Sequence, residues 1–324
     1  MKKAQFVLYG AFSLILASAC ACAKRPSAFA SAVPQPDKME IPSFSADSAF
    51  RNVARQVAFG PRTPRSEAHD ACGKWLAAEL SRYGADTVIC QTAELPDFGP
   101  MINIMGRFGA KKADRILLLA HWDSRPVADE ETDPNKCAMP IDGANDGASG
   151  VGVLLELARL VGASSLHVGI DILFVDAEDS GNEESEDSWA RGTQYYVENM
   201  SYGLTEPMPR YAVLLDMVGG DNAVFPREMF SNSYARPIVD KIWAIAADND
   251  MADRFVNRIG GAVNDDHLPL LRAGIPAVDI IETANPKTGS FNPTWHTLQD
   301  NIDNIDPETL GDVGRLMTIL VYTE

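Results

Sequence analysis

The chain has 324 residues, of which 46% are hydrophobic, and it carries a formal net charge of -17 at pH 7. This length suits one large α/β domain with a sizeable core, or two small domains. The excess of acidic residues argues against a nucleic-acid partner, because little positive charge is available to neutralise phosphates.

The N-terminal part of the chain is predicted to lie outside the folded body. Residues 1–23 have the pattern of a signal peptide, with two early lysines, an apolar run over Phe6–Leu16 and then small residues. The end of this run resembles a bacterial lipoprotein box, which would make Cys20 a lipidated residue, and simple signal cleavage is the alternative. Residues 24–44 are rich in Ala, Pro and Ser and predict a tether to a domain over residues 45–324. The expected location is therefore the bacterial periplasm or a membrane-anchored lipoprotein.

Helices and strands alternate after the tether. Helices are predicted over Ser45–Phe59, Ser66–Tyr83, Ala148–Val161, Ala190–Asn199, Tyr234–Ala247 and Pro307–Tyr322. Strands are predicted over Val88–Ala93, Ile102–Phe108, Ile116–His121, Ile170–Val175, Ala212–Leu215 and Pro276–Ile281. Consecutive strands before His121 and strand–helix–strand spacing after it predict one α/β domain. Its central twisted sheet is expected to be mixed and mostly parallel, with helices on both faces.

Acidic and histidine side chains follow several of these apolar strands directly. They are His121, Glu178, Asp179 and Asp216, with Asp146 added from a loop and His296 from near the C-terminus. In open α/β sheets the ligand site lies beyond the carboxyl ends of the strands, so these side chains are expected to meet. Imidazole and carboxylate groups are the ligands of a hydrolytic zinc site, and the sequence therefore predicts a zinc enzyme.

Six motifs carry a resemblance to a known family. They are His121-Trp122-Asp123-Ser124, Gly143–Gly150, Asp176-Ala177-Glu178-Asp179, Leu215-Asp216, Asp265–Leu271, and Trp295-His296-Thr297 with Asp300-Asn301. In this order they are similar to the zinc aminopeptidase-like metallohydrolases, and most similar to the animal-type glutaminyl cyclases, as a bacterial branch. The resemblance implies an enzyme that converts the N-terminal glutamine of exported peptides or proteins to pyroglutamate and releases ammonia.

The resemblance also implies a metal centre. Asp146, Asp179 and His296 match the family's zinc ligands, and three protein ligands leave a coordination position open for catalysis. A cyclase would hold one zinc per chain. In the related aminopeptidases, the positions of His121 and Asp216 bind a second zinc, so these residues alone do not fix the number of metal ions.

Further roles follow from the same match. Glu178 resembles the general acid/base of the cyclases, and Asp216 and Asp265 resemble the carboxylate relay behind it. Trp295 resembles the residue that stacks on the substrate's glutamine side chain. Trp122 and Trp189 are expected to be structural.

Three positions depart from the family pattern. Asp179 stands where animal cyclases have Glu, and Asp279 stands where they have a histidine close to the site. Gly147 replaces the acid that usually follows the bridging aspartate in the aminopeptidases.

Two other functions remain open at this point. A two-zinc aminopeptidase would use Glu178 to activate a metal-bound water. A surface lipoprotein with a degenerate site would only bind peptides.

The chain is expected to be a monomer. Cys72 and Cys90 are predicted to form either a disulfide or two buried thiols.

Overall fold

The computed structural model describes residues 39–182 and 184–324. The predicted signal peptide, including Cys20, and most of the predicted tether therefore lie outside the described residues. Of the tether, residues 39–44 are described, and Met39 and Phe44 pack against the hydrophobic core. No helix in this described part is long and apolar enough to cross a bilayer.

Eight strands are found in the described residues. They are β1 (Thr87–Leu95), β2 (Gly99–Phe108), β3 (Arg115–His121), β4 (Gly169–Val175), β5 (Ala212–Leu215), β6 (Phe225–Arg227), β7 (Phe255–Ile259) and β8 (Ala277–Ile280). Six of them form the central sheet in the order β1-β2-β4-β3-β5-β8, and β6 pairs with β7 separately. The pairs β1–β2 and β2–β4 are antiparallel, whereas β4, β3, β5 and β8 run parallel. The predicted mixed, mostly parallel sheet is confirmed.

Eight α-helices accompany the strands in the same part of the chain. They are α1 (Ala46–Val57), α2 (Glu67–Arg82), α3 (Ala148–Gly162), α4 (Arg191–Asn199), α5 (Met229–Tyr234), α6 (Arg236–Asp248), α7 (His267–Arg272) and α8 (Pro307–Tyr322). The side chains of Ser45 and Ser66 accept backbone hydrogen bonds at the starts of α1 and α2, which explains why these boundaries are readable from sequence. The helix predicted over Tyr234–Ala247 corresponds to α6, which begins two residues later, whereas the short helix α5 before it is not predicted.

Successive side chains of the parallel strands enter two separate cores. In β4, Ile172 and Phe174 pack in the core that includes α3 and α8, whereas Leu173 and Val175 pack in the core that includes residues of α4 and α7. Helices therefore cover both faces of the sheet, as predicted. Burial on both faces explains why these strands are predominantly apolar in the sequence, with the buried Asp171 and Asp279 as exceptions within β4 and β8.

The cysteines do not form a disulfide in the described residues. Cys72, Cys90 and Cys137 are all free. Cys72 is buried in α2, but Cys90 lies in the edge strand β1 and is exposed. The prediction of a bridge or of two buried thiols is therefore wrong for Cys90.

Candidate metal centre and active site

The three candidate metal ligands meet beyond the carboxyl ends of the parallel strands. Ligand atoms of Asp146, Asp179 and His296 all lie within 4.8 Å of one another. Nε2 of His296 is 3.2 Å from Oδ1 of Asp179 and 3.7 Å from Oδ2 of Asp146. Each residue is at most 4% exposed, and Oδ2 of Asp179 has no hydrogen-bond partner among the described residues. Two carboxylates, one imidazole and a buried unpaired oxygen fit a zinc ion with an open coordination position.

Asp129 orients the histidine of this cluster. Its Oδ1 lies 3.0 Å from Nδ1 of His296, which turns Nε2 toward the two aspartates. Arg125 holds Asp129 in turn, because its Nε donates a hydrogen bond to Oδ1 of Asp129 at 3.1 Å. A terminal nitrogen of the same guanidinium donates to the backbone carbonyl of Asp179 at 3.0 Å. Sequence reasoning missed both residues, which lie in an irregular loop after β3 and belong to no quoted motif.

Burial disfavours a proton on His296, but Asp179 and Asp129 raise its pKa to about 10. A metal ion at Nε2 must displace that proton, so metal binding here is coupled to pH.

Two further carboxylates fix the backbone that carries the ligands. Asp123 accepts hydrogen bonds from the amides of Glu178 at 3.3 Å and Asp179 at 3.2 Å. Asp300 accepts from the amide of Asp146 at 3.0 Å and from that of the preceding residue at 2.7 Å. Both acids lie within the quoted motifs, but their roles are visible only in the structure.

Four non-glycine residues at this edge of the sheet have a left-handed backbone. They are Ala177 (φ 56°), Ala190 (φ 53°), Met217 (φ 48°) and His296 (φ 54°). Each lies in the site or next to one of its side chains in the sequence. Such conformations cost free energy and persist only where the surrounding structure imposes them, and they concentrate at functional sites.

Glu178 has the environment of a general acid/base. It is 8% exposed, and burial together with the charges of Asp265 and Asp179 raises its pKa well above the ordinary value, against the opposing effect of His121. Burial and the charge of Asp216 raise the pKa of Asp265 to about 7. The structure brings Asp216 and Asp265 to the same cavity as Glu178. No hydrogen bond joins Glu178 to either acid among the described residues, so the influence of Asp265 on it is electrostatic.

His121 lies between two of the candidate acids. Its Nε2 is 3.0 Å from Oδ1 of Asp146 and 3.1 Å from Oδ1 of Asp216. These side chains form a second cluster whose composition suits a metal. Burial disfavours the imidazolium, but the carboxylates around it raise the pKa of His121 well above its ordinary value.

The cavity above these residues has a volume of about 280 Å³. Its lining comprises Asp146, Glu178, Asp179, Trp189, Asp216, Met217, Ala262, Val263, Asn264, Asp265, Ile281, Phe291, Trp295 and His296. Trp295 stacks on the imidazole of His296, with ring centroids 3.9 Å apart. The resemblance assigns Trp295 to substrate binding, and the structure places it in the wall of this cavity.

Trp122 and Trp189, both expected to be structural, differ from each other. Trp122 is fully buried and stacks on His69, in agreement with a structural role. The structural role predicted for Trp189 is incomplete, because its ring lines the cavity and lies over the guanidinium of Arg125 at 4.8 Å. The loop before α4 turns this ring toward His296, which is not evident from sequence.

Asp279 is fully buried behind Asp265. Burial and the charge of Asp265 raise the pKa of Asp279 well above the ordinary value. Nδ1 of His267, on α7, lies 3.7 Å from Oδ2 of Asp279.

Comparisons with known proteins agree with this geometry. A glutaminyl cyclase of Bacteroides thetaiotaomicron, solved bound to N-acetylhistamine, is 43% identical, with a TM-score of 0.84 over 88% of this chain and 100% of that chain. A Zn-dependent exopeptidase from Parabacteroides distasonis is 44% identical, with the same coverage and TM-score. Glutaminyl-peptide cyclotransferase of Bos taurus is 24% identical over 80% of this chain and 77% of its own length.

The expected fold and family are confirmed by these matches. The model of peptidase family M28 matches residues 103–321. The chain belongs to peptidase family M28.

Proposed function

We propose that the protein is a glutaminyl cyclase that uses one zinc ion per chain. The observation that carries this proposal is the position of Glu178, a buried acid with a raised pKa, beside a three-ligand metal centre in a cavity with tryptophan walls. Its similarity to glutaminyl cyclases of B. thetaiotaomicron and Bos taurus supports the same activity. The substrates would be peptides or proteins with an N-terminal glutamine.

The reaction is an intramolecular acyl transfer. The α-amine attacks the carbon of the side-chain amide, a new C–N bond closes the ring, and the original amide C–N bond breaks. Zinc, when bound, would supply Lewis-acid polarisation of the amide carbonyl. Glu178 would accept a proton from the attacking amine and donate it to the departing ammonia. Burial and the charge of Asp265 keep the pKa of Glu178 above its ordinary value, and Trp295 would hold the glutamine side chain against the cavity wall.

One observation favours the cyclase over the two-zinc aminopeptidase. Gly147 has φ +93°, and a Cβ there would lie 2.6 Å from the backbone oxygen of Asp123. The acid that aminopeptidases have at this position would therefore clash in this backbone.

Mass spectrometry of a glutamine-led peptide, incubated with the purified zinc-loaded protein, tests the proposal. We expect loss of one ammonia from an otherwise intact peptide, and a metal content close to one zinc per chain. Release of the whole first residue, with about two zinc ions bound, would instead identify an aminopeptidase. An unchanged peptide would favour a protein that only binds peptides.

We also propose that the protein is exported in a bacterium and acts as a monomer, attached to a membrane through a lipidated Cys20. The signal-like pattern of residues 1–23 supports export. Replacing Cys20 by Ala is expected to move the protein from the membrane fraction to the soluble exported fraction. An unchanged distribution of the variant would contradict lipid attachment, and cytoplasmic retention of the wild-type protein would contradict export.

A further inference from the structure

A second cavity of about 370 Å³ lies beside the proposed active site. Its walls are mainly apolar, with Phe230 and Tyr234 from α5 and Leu268 and Leu271 from α7. The rings of Phe230 and Tyr234 are nearly parallel, with centroids 6.5 Å apart. Tyr234 is 70% exposed, which is unusual for a large aromatic side chain on a strongly charged surface. We name this cavity the α5–α7 groove.

The α5–α7 groove adjoins the active-site cavity. Asn264 lines both of them. Its Nδ2 donates to the backbone oxygen of Glu186 at 2.9 Å, which ties the segment before Asp265 to the loop before Trp189. The boundary between the two cavities is therefore built from the same segments that carry Asp265 and Trp189.

A peptide held in the active-site cavity must extend away from it after the first residue. The metal ligands and Glu178 line that cavity and would hold the first residue. Successive Cα atoms are about 3.8 Å apart, so a groove that shares Asn264 with this cavity is within reach of the residues that directly follow. An apolar side chain at that point would cover the exposed ring of Tyr234 and lose contact with water.

We propose that the α5–α7 groove binds the residues that directly follow the N-terminal glutamine, and that it selects peptides with a bulky apolar side chain at the second or third position. This inference rests on the proposed function, because it assigns a specificity-determining surface to the same reaction. The groove acts on binding and leaves the chemical step to the metal centre and Glu178.

The test compares kcat/KM for glutamine amide with that for short peptides carrying Gly, Asp, Leu or Phe at the second or third position. We expect a Leu or Phe peptide to exceed the Gly peptide by about tenfold, mainly through KM, as burial of an apolar side chain implies. In Tyr234→Ser the ratio of kcat/KM between the Phe peptide and glutamine amide should fall by about the same factor. Phe230→Ser should lower this ratio as well.

Met229→Ser is the matched control. Met229 lies on the same helix and is 43% exposed, but it does not line the groove, so the ratio should stay unchanged. An equal ratio in wild type, Tyr234→Ser and Phe230→Ser would overturn the assignment of the groove, even with an active enzyme. Absence of ammonia release from glutamine amide would overturn the proposed function itself, and the groove assignment with it.

Discussion

The Glu178→Gln variant is expected to lose turnover by a factor of about 10²–10⁴ while it keeps its fold and its zinc. The substitution preserves the shape of the side chain but removes the group that accepts the proton of the attacking amine. Glu178 is not one of the three metal ligands, so metal content should match that of the wild-type protein. Ammonia release from a glutamine-led peptide, together with metal analysis of the same sample, measures both quantities.

Glu184→Gln is the control for Glu178→Gln, since Glu184 is an exposed acid on the loop that follows Asp179. Full activity of Glu184→Gln with loss of activity in Glu178→Gln would show that the position, and not the general acidity of the region, matters. Retained turnover in Glu178→Gln would remove this residue from the mechanism.

The pH profile of kcat/KM for the wild-type protein provides a second check on the role of Glu178. Because burial and nearby acids raise the pKa of Glu178, the loss of kcat/KM on acidification should begin above the ordinary range of a glutamate.

The His296→Gln variant is expected to lose zinc and, with it, essentially all activity. His296 supplies the imidazole of a three-ligand set, and the remaining two aspartates form a much weaker site.

The Asp129→Asn variant should weaken zinc binding less than His296→Gln does, because it disturbs the orientation and basicity of His296 without removing the ligand. Zinc affinity of Asp129→Asn is expected to fall about 10–100-fold, the usual cost of losing a carboxylate that supports a ligating histidine. Competition with a chromogenic chelator measures these affinities.

His167→Gln is the matched control for the metal variants, since His167 is exposed and remote from the candidate ligands. It should bind zinc as the wild-type protein does. Unchanged zinc binding in His296→Gln would refute the ligand set, whereas unchanged affinity in Asp129→Asn would refute only the orienting role of Asp129.

The central sheet is predictable from sequence because its strands are buried on both faces. Ile116–Ala120 is apolar throughout, Ile170–Val175 is interrupted only by Asp171, and polar or charged residues follow where these strands stop. The helices α1, α2 and α8 are equally readable, since Ser45, Ser66 and Asp306 cap them with side-chain hydrogen bonds.

The short elements could not be predicted in the same way. Strands β6 and β7 contain only three and five residues, and their pairing joins segments far apart in the chain. Pro237 in the first turn marks the start of α6, whereas α5 before it has only six residues, too few to show a helical period.

The candidate ligands could be identified because they lie in motifs at the ends of strands. The residues that orient them could not, since Asp129 and Arg125 act through contacts between loops that are remote in sequence from Asp179 and His296. Trp189 is expected to be structural from the sequence, but its ring lines the active-site cavity and lies over Arg125, a contact between loops that the sequence does not show.

The free state of all three cysteines in the described residues has a practical consequence for how this domain reaches its folded form. Cys72, Cys90 and Cys137 contribute no covalent cross-link, so the free energy of folding of residues 39–324 does not depend on the thiol–disulfide balance of the surroundings. The domain can therefore fold under reducing conditions as well as oxidising ones. Premature folding in a reducing cytosol would then compete with passage through a membrane, and export would require that the chain be kept unfolded until it is translocated.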